Sequence, residues 1–67
     1  MGAWMKRYLR IKNPDSGLDW RLRYGDRFEI VGKIDDYFFL WAAGTMVGFS
    51  TMSKYEYTIE TEIINTE

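Results

Sequence analysis

Apolar and polar residues alternate in several short runs of this sequence, and turn-forming residues separate the runs. Successive side chains of a strand point to opposite faces, so each such run places its apolar members on one side. Three runs show the pattern, over residues 4–12, 18–24 and 55–64. In the second run, Leu18, Trp20, Leu22 and Tyr24 alternate with charged residues. We therefore predict a strand over each run.

Three further segments are typical of strands. Residues 27–34 place Phe28 and Ile30 on one side, with Ile34 as a further candidate for that side, and Gly32 favours a bulge or a close backbone approach. Residues 37–43 are apolar at every position, which predicts a central strand covered on both faces and a buried Trp41. Residues 45–50 form a short final candidate before the last run. Turn formers recur between these segments, so the sequence predicts an all-β fold, a small closed or nearly closed barrel.

The length and composition limit the chemistry that is open to the chain. Its 67 residues predict one domain spanning 1–67. The absence of Cys and His removes disulfides, the usual zinc ligands, thiol nucleophiles and imidazole bases. Asp35 and Asp36 are adjacent carboxylates at a turn, and we interpret them as solvated rather than as a metal or acid–base site. We therefore predict a non-enzymatic protein with no metal and no cofactor.

The order of several motifs resembles the bacterial SH3 domain family over residues 9–55. The motifs are Leu9-Arg10-Ile11-Lys12-Asn13-Pro14, the strand from Gly25 to Gly32, Tyr37-Phe38 after a polar loop, and Gly44-Thr45-Met46-Val47-Gly48-Phe49. Tyr or Phe stands at the usual Trp positions of that family, and the acidic last strand has no obvious equivalent in it. The resemblance implies an SH3-like barrel of five to six short, mainly antiparallel strands. It also implies a cell-wall-binding domain as one alternative function.

Aromatic residues make up 18% of the chain, which is more than one small interior needs. In SH3-like folds, rings beside the loops bind extended peptides, and Arg residues next to them would hydrogen-bond carboxylates. We predict a module that binds a protein or peptide partner through an aromatic surface flanked by arginines. A small regulator, or a phage- or plasmid-encoded protein that docks on a host factor, would fit this description. The candidate residues are Tyr8, Arg10, Trp20, Arg21, Arg23, Arg27, Tyr37 and Tyr55.

Two other partners remain open. Residues 1–33 hold eight of the nine basic residues, interleaved with Tyr8, Trp20 and Tyr24, which is typical of proteins that bind single-stranded nucleic acid. The net charge of −1 argues against that alternative. Six of the ten acidic residues follow residue 34, so the basic strands of one copy could meet the acidic last strand of another in a homo-oligomer.

The sequence also bears on location. The longest apolar run, 37–43, is far shorter than the ~20 residues that a membrane-spanning helix needs. Residues 1–3 start no apolar stretch typical of a secretory signal. We therefore expect a cytoplasmic protein with no membrane partner.

Overall fold

The computed structural model describes residues 2–66, and the protein is all-β over this range. Five antiparallel strands form one open sheet in the order β4-β3-β2-β1-β5. Met1 and Glu67, which belong to the predicted 1–67 domain, lie outside the described residues. The elements are β1 (Gly2–Ile11), a 3₁₀ helix (Trp20–Leu22), β2 (Phe28–Ile34), β3 (Tyr37–Ala42), β4 (Thr45–Ser50) and β5 (Tyr57–Thr66).

Strands β2, β3 and β4 form a meander with two tight turns. Ala43 and Gly44 both have positive φ, 51° and 77°. Positive φ at both central residues is typical of the two-residue hairpin turn whose twist matches that of the flanking strands. Asp35 has a φ of 52° in the turn before β3, where short acidic residues tolerate this conformation. The predicted turns at 35–36 and 43–44 are therefore confirmed.

One face of the curved sheet holds the core. Leu9, Leu40 and Leu22 are the largest fully buried side chains. Around them lie Ile11, Leu18, Phe28, Phe38, Ala42, Val47 and Phe49. The predicted alternation thus sorts side chains between core and solvent in β1, in β2 up to Ile30 and at Tyr57 of β5. In β4, Val47 and Phe49 face the core in the same way.

The sheet curls over this core without closing into a ring. The ring of Tyr57 on β5 meets Phe49 on β4 edge-on at 5.5 Å between centroids, and Phe38 on β3 at 5.9 Å. Among residues 2–66, however, no strand ladder joins β4 to β5. The predicted closed or nearly closed barrel is therefore confirmed only as an all-β sheet of five antiparallel strands.

The predicted strand over residues 18–24 is wrong. Asp19 accepts a hydrogen bond from the backbone N–H of Arg21 at 2.9 Å and caps the 3₁₀ helix that follows. Leu18 and Leu22 lie four positions apart and both point into the core, whereas Trp20 and Tyr24 are exposed. The alternation of apolar and charged residues fits this turn as well as a strand, because Leu18, just before the capped 3₁₀ helix, and Leu22, its last residue, both face the core.

The prediction that β3 is covered on both faces is also wrong. Phe38, Leu40 and Ala42 face the core, but Trp41 on the other face is 50% exposed, so its predicted burial is corrected. A chain of this length builds one packed layer against the sheet, and that layer lies entirely on the core face.

Candidate binding surfaces

An apolar patch occupies the outer face of the β2–β4 meander, opposite the core. We call it the meander patch. Six side chains form it: Val31, Ile34, Tyr37, Phe39, Trp41 and Met46. Five of the six are exposed, and Phe39 at the centre is partly buried. Contiguous apolar surface of this kind on a small protein is typical of an interaction site.

The register of the meander explains how the patch forms. Phe39 lies directly between Gly32 on β2 and Gly48 on β4, so no neighbouring side chain covers its ring from either strand. Trp41 is paired with Met46, and Tyr37 with Ile34. A shallow groove of about 340 Å³ runs beside Phe39, and Val31, Gly32, Lys33, Ile34 and Met46 complete its lining.

A bulge in β2 adds two aliphatic side chains to this patch. The register shifts between Ile30 and Gly32, so Val31 is the extra residue. Ile30 pairs with Leu40 on the core face, but Ile34 pairs with Tyr37 on the outer face and is 64% exposed. Of the two alternatives predicted at Gly32, the structure shows the bulge. It turns Ile34 away from the side of Phe28 and Ile30, so the prediction that Ile34 shares that side is wrong.

Carboxylates border the meander patch at both ends. Glu29 pairs with Trp41 at one end, and Asp35 and Asp36 precede Tyr37 at the other. Lys33 is the basic residue of this region, and its Nζ donates to the backbone oxygen of Asp35 at 2.8 Å. The border of the patch is therefore acidic, which favours cationic groups in whatever binds there.

Three of the predicted residues meet at a second surface over β1 and β5: Tyr8 and Arg10 lie on β1, and Arg27 lies just before β2. Arg10 Nε donates to Glu60 Oε2 at 2.6 Å, and Arg27 lies 3.5 Å from Glu60 and 3.6 Å from Glu62. The guanidinium of Arg27 stacks over the Tyr8 ring at 3.9 Å. The hydrogen bond with Arg10 lowers the pKa of Glu60 below its ordinary value and raises that of Arg10. These arginines therefore act as partners for carboxylates of the same chain.

Tyr55 lies at a third surface, between the loop after β1 and the segment before β5. Its hydroxyl donates to Asp15, and this hydrogen bond lowers the pKa of Asp15 and raises that of Tyr55. Lys54 lies 5.3 Å from the Tyr55 ring centroid. A polar groove of about 260 Å³ opens here, lined by Lys12, Asn13, Asp15, Lys54, Tyr55 and Glu56.

Arg21, Arg23 and Trp20 belong to the 3₁₀ helix and its C-terminal side. Arg21 Nη2 lies 2.7 Å from Asp19 Oδ2, and hydrogen bonds from Arg21 lower the pKa of Asp19 to about 2. Arg23 Nε donates to the backbone oxygen of Leu18 at 2.8 Å, which fastens the loop to its buried leucine. Trp20 is 60% exposed beside them.

The eight predicted residues therefore lie in separate places rather than in one site. Tyr8, Arg10 and Arg27 come together over β1 and β5, Tyr37 joins the meander patch, and the other four lie in the loop region. Sequence reasoning weighed Trp41 as a candidate for the aromatic surface but favoured its burial, and it missed Phe39 and Met46. The signal was present in the run 37–43, because a strand that is apolar on both faces in a one-layer protein must expose one of them.

Within residues 2–66 no group of three or more acidic side chains is arranged to hold a metal ion. Over the same range, no helix has the length and apolar character needed to cross a membrane.

No family model matches the chain, and neither a curated protein nor a solved structure does. The resemblance to the bacterial SH3 domain family thus stays a prediction from motif order.

Proposed function

We propose that the chain is a non-enzymatic binding module, built on an SH3-like barrel, that recognises a protein or peptide partner through the meander patch. The observation that carries this proposal is the exposure of Trp41, 50%, and Tyr37, 53%, on a face that the fold leaves open. Exposed Trp and Tyr rings are among the residue types that contribute most to the binding energy of protein interfaces.

The contacts of the arginines favour apolar burial over charge as the main source of binding energy. Arg10, Arg21 and Arg27 already form ion pairs with carboxylates of their own chain, at 2.6, 2.7 and 3.5 Å. A partner carboxylate would have to displace these contacts before it gained its own. The same pairs lower the positive charge available to nucleic acid, so a protein partner is favoured.

The acidic border of the meander patch favours a partner that carries cationic groups beside its apolar side chains. An extended segment with apolar side chains at alternate positions would place them on Tyr37, Phe39 and Trp41, because residues two apart share a face. Lys or Arg residues at its ends would lie near Glu29, Asp35 and Asp36. In the part of the chain that the structure describes, β4 is an edge strand, so such a segment can also add its backbone to the sheet beside the patch.

The experiment selects random peptides on the immobilised protein from a displayed library and measures their affinity for variants. We expect the selected peptides to combine aromatic or aliphatic residues with Lys or Arg. Trp41→Ala and Tyr37→Ala should each weaken binding by about tenfold or more, since exposed anchors of this type cost ~1–2 kcal/mol or more when truncated.

Matched controls come from the loop region. Trp20→Ala and Tyr24→Ala remove the same two residue types at similar or greater exposure, 60% and 76%, away from the meander patch. They should leave the affinity unchanged. Loss of binding in the Trp20 variant with full binding in the Trp41 variant would place the site on the loop and reject the proposal.

A further inference from the structure

Strands β1 and β5 continue as a two-stranded ribbon beyond the rest of the sheet. β2 pairs with β1 only at Tyr8 and Leu9, whereas β5 pairs with β1 along its whole length. The pairs from Gly2–Thr66 to Arg7–Thr61 therefore have no third strand beside them in the described chain. Isolated two-stranded ribbons are marginally stable in water, so this one gains from a further layer.

The outer face of this ribbon carries a short apolar tip followed by charges. Trp4 pairs with Ile64 at the tip, and Trp4 is 67% exposed. Lys6 pairs with Glu62, and Tyr8 pairs with Glu60. We call this surface the ribbon face.

The charges on the ribbon face are separated by strand. Lys6 and Arg10 lie on β1, while Glu60 and Glu62 lie on β5. Arg10 and Arg27 pair with Glu60 within the same copy, and Arg27 also lies 3.6 Å from Glu62. The contact that a second copy would add is therefore the one between Lys6 and Glu62. A two-fold axis that lies just outside the ribbon face, parallel to the strands and midway between them, would lay β1 of one copy over β5 of another. Because the register pairs Lys6 with Glu62, each Lys6 then faces Glu62 of the other copy, and each Trp4 faces Ile64. A surface that is complementary to itself in this way is what a two-fold dimer requires.

We infer that the ribbon face is a dimer interface whose occupant is a second copy of this chain, packed face to face about the β1–β5 midline. The ten paired residues give a face roughly 33 Å long and about 10 Å wide, from strand rise and spacing. Two such faces bury about 660 Å² in total, well below the ~1,200 Å² of a standard interface, so we expect a weak dimer that forms only at high protein concentration. The interface is separate from the meander patch and does not depend on the proposed function.

Sedimentation equilibrium over a range of concentrations tests the inference. The chain should reversibly form a dimer, and Trp4→Ala should raise its dissociation constant by about tenfold or more. Met5→Ala is the matched control, because Met5 is equally exposed, 69%, but points to the opposite face of the ribbon. It should leave the dimer intact.

Charge exchange tests the position of the axis. Lys6→Glu alone sets a new carboxylate against Glu62 of the other copy, and Glu62→Lys alone sets a new ammonium group against Lys6. Each variant should therefore dimerise more weakly than the wild type. A mixture of the two variants restores contacts between opposite charges and should form a heterodimer more tightly than either variant alone. Far-ultraviolet circular dichroism and thermal unfolding of each variant confirm that it remains folded.

Three results would overturn the inference. A species of 8.0 kDa alone at millimolar concentration would exclude the dimer. Disruption by Met5→Ala with none by Trp4→Ala would move the interface to the other face. A mixture of the charge variants that associates no better than its components would reject the midline axis.

Discussion

The β2–β4 meander and the β1–β5 ribbon are both antiparallel, and both expose large apolar side chains, but they do so for different reasons. The meander lies over the core, and its outer face exposes Trp41 and Tyr37 because no second layer covers them. The ribbon extends past the core, so both of its faces are exposed, with Trp4 on one and Met5 on the other.

Exposed apolar surface therefore has a different consequence for stability and binding in each region. In the meander the strands are already held by packing on one side, so the open face adds little to folding and is available for binding. In the ribbon the strands lack that support at the tip, and apolar side chains there are stabilised only by what covers them.

The largest effect is expected in the core beneath the meander. Leu40 is fully buried on the face of β3 opposite Trp41. Leu40→Ala should lower the free energy of unfolding by about 2–5 kcal/mol, because it removes buried methyl groups and leaves a cavity. A domain of this size has about 3–5 kcal/mol in total, so much of the variant population should be unfolded. Urea denaturation followed by circular dichroism measures the change.

Ile63→Ala on the ribbon is the control for that experiment. Ile63 is 65% exposed, so the loss should stay within about 0.5 kcal/mol in the monomer. Equal losses in the two variants would show that the ribbon shares the core and does not extend past it.

The sequence predicts the parts of the fold that depend on local pattern. The alternation of Leu9 and Ile11 with polar residues, the bulge near Gly32 and the turn at Ala43-Gly44 can all be read locally and are confirmed. The run 18–24 could not be assigned in the same way, because Leu18 and Leu22 share a side in a strand and in a helical turn. Asp19 two positions before Arg21 was the local sign of a cap.

A medium effect is expected at the turn that ends β3. Gly44 has a φ of 77°, and a Cβ built there meets no atom within 4 Å. Gly44→Ala should therefore cost about 1–2 kcal/mol through backbone strain alone. The free energy of unfolding from urea titration gives the value.

Gly48 provides the comparison for this substitution. It also has open space around a built Cβ, but its φ lies outside the left-handed region. Gly48→Ala should be neutral or stabilise the protein by up to about 1 kcal/mol. If both variants lost the same stability, strain at the turn would not be the cause.

The smallest effect concerns the ion pairs of the β1–β5 face. The pKa of Glu60 is lowered in the folded state, so its contribution is present above the ordinary value of 4.5 and is lost as the pH falls through the folded value. Glu60→Gln should therefore reduce the stability difference between pH 7 and pH 3. Thermal unfolding at the two pH values measures it, and an unchanged difference would show that the Arg10 and Arg27 contacts do not stabilise the fold.

The pairing of these groups could not be predicted from the sequence. Arg10 and Glu60 are separated by 50 positions, and only the register of β1 with β5 brings them together. The sequence showed the charges divided between the two halves of the chain. In the structure, arginines of the first half pair with glutamates of the second half within one molecule. For the meander patch the missing information was the number of layers, since a fully apolar run is compatible with burial on one face or two.

The most direct test of the account is the solvent exposure of Trp41. A variant with Trp4 and Trp20 replaced by Phe leaves Trp41 as the one indole, and its fluorescence quenching by acrylamide can be followed in the folded protein. Because Trp41 is 50% exposed, we expect quenching well above that of a buried indole and below that of the urea-unfolded chain, together with a cooperative unfolding transition. A strongly shielded Trp41 in the folded monomer would contradict it, because the meander would then be covered on both faces.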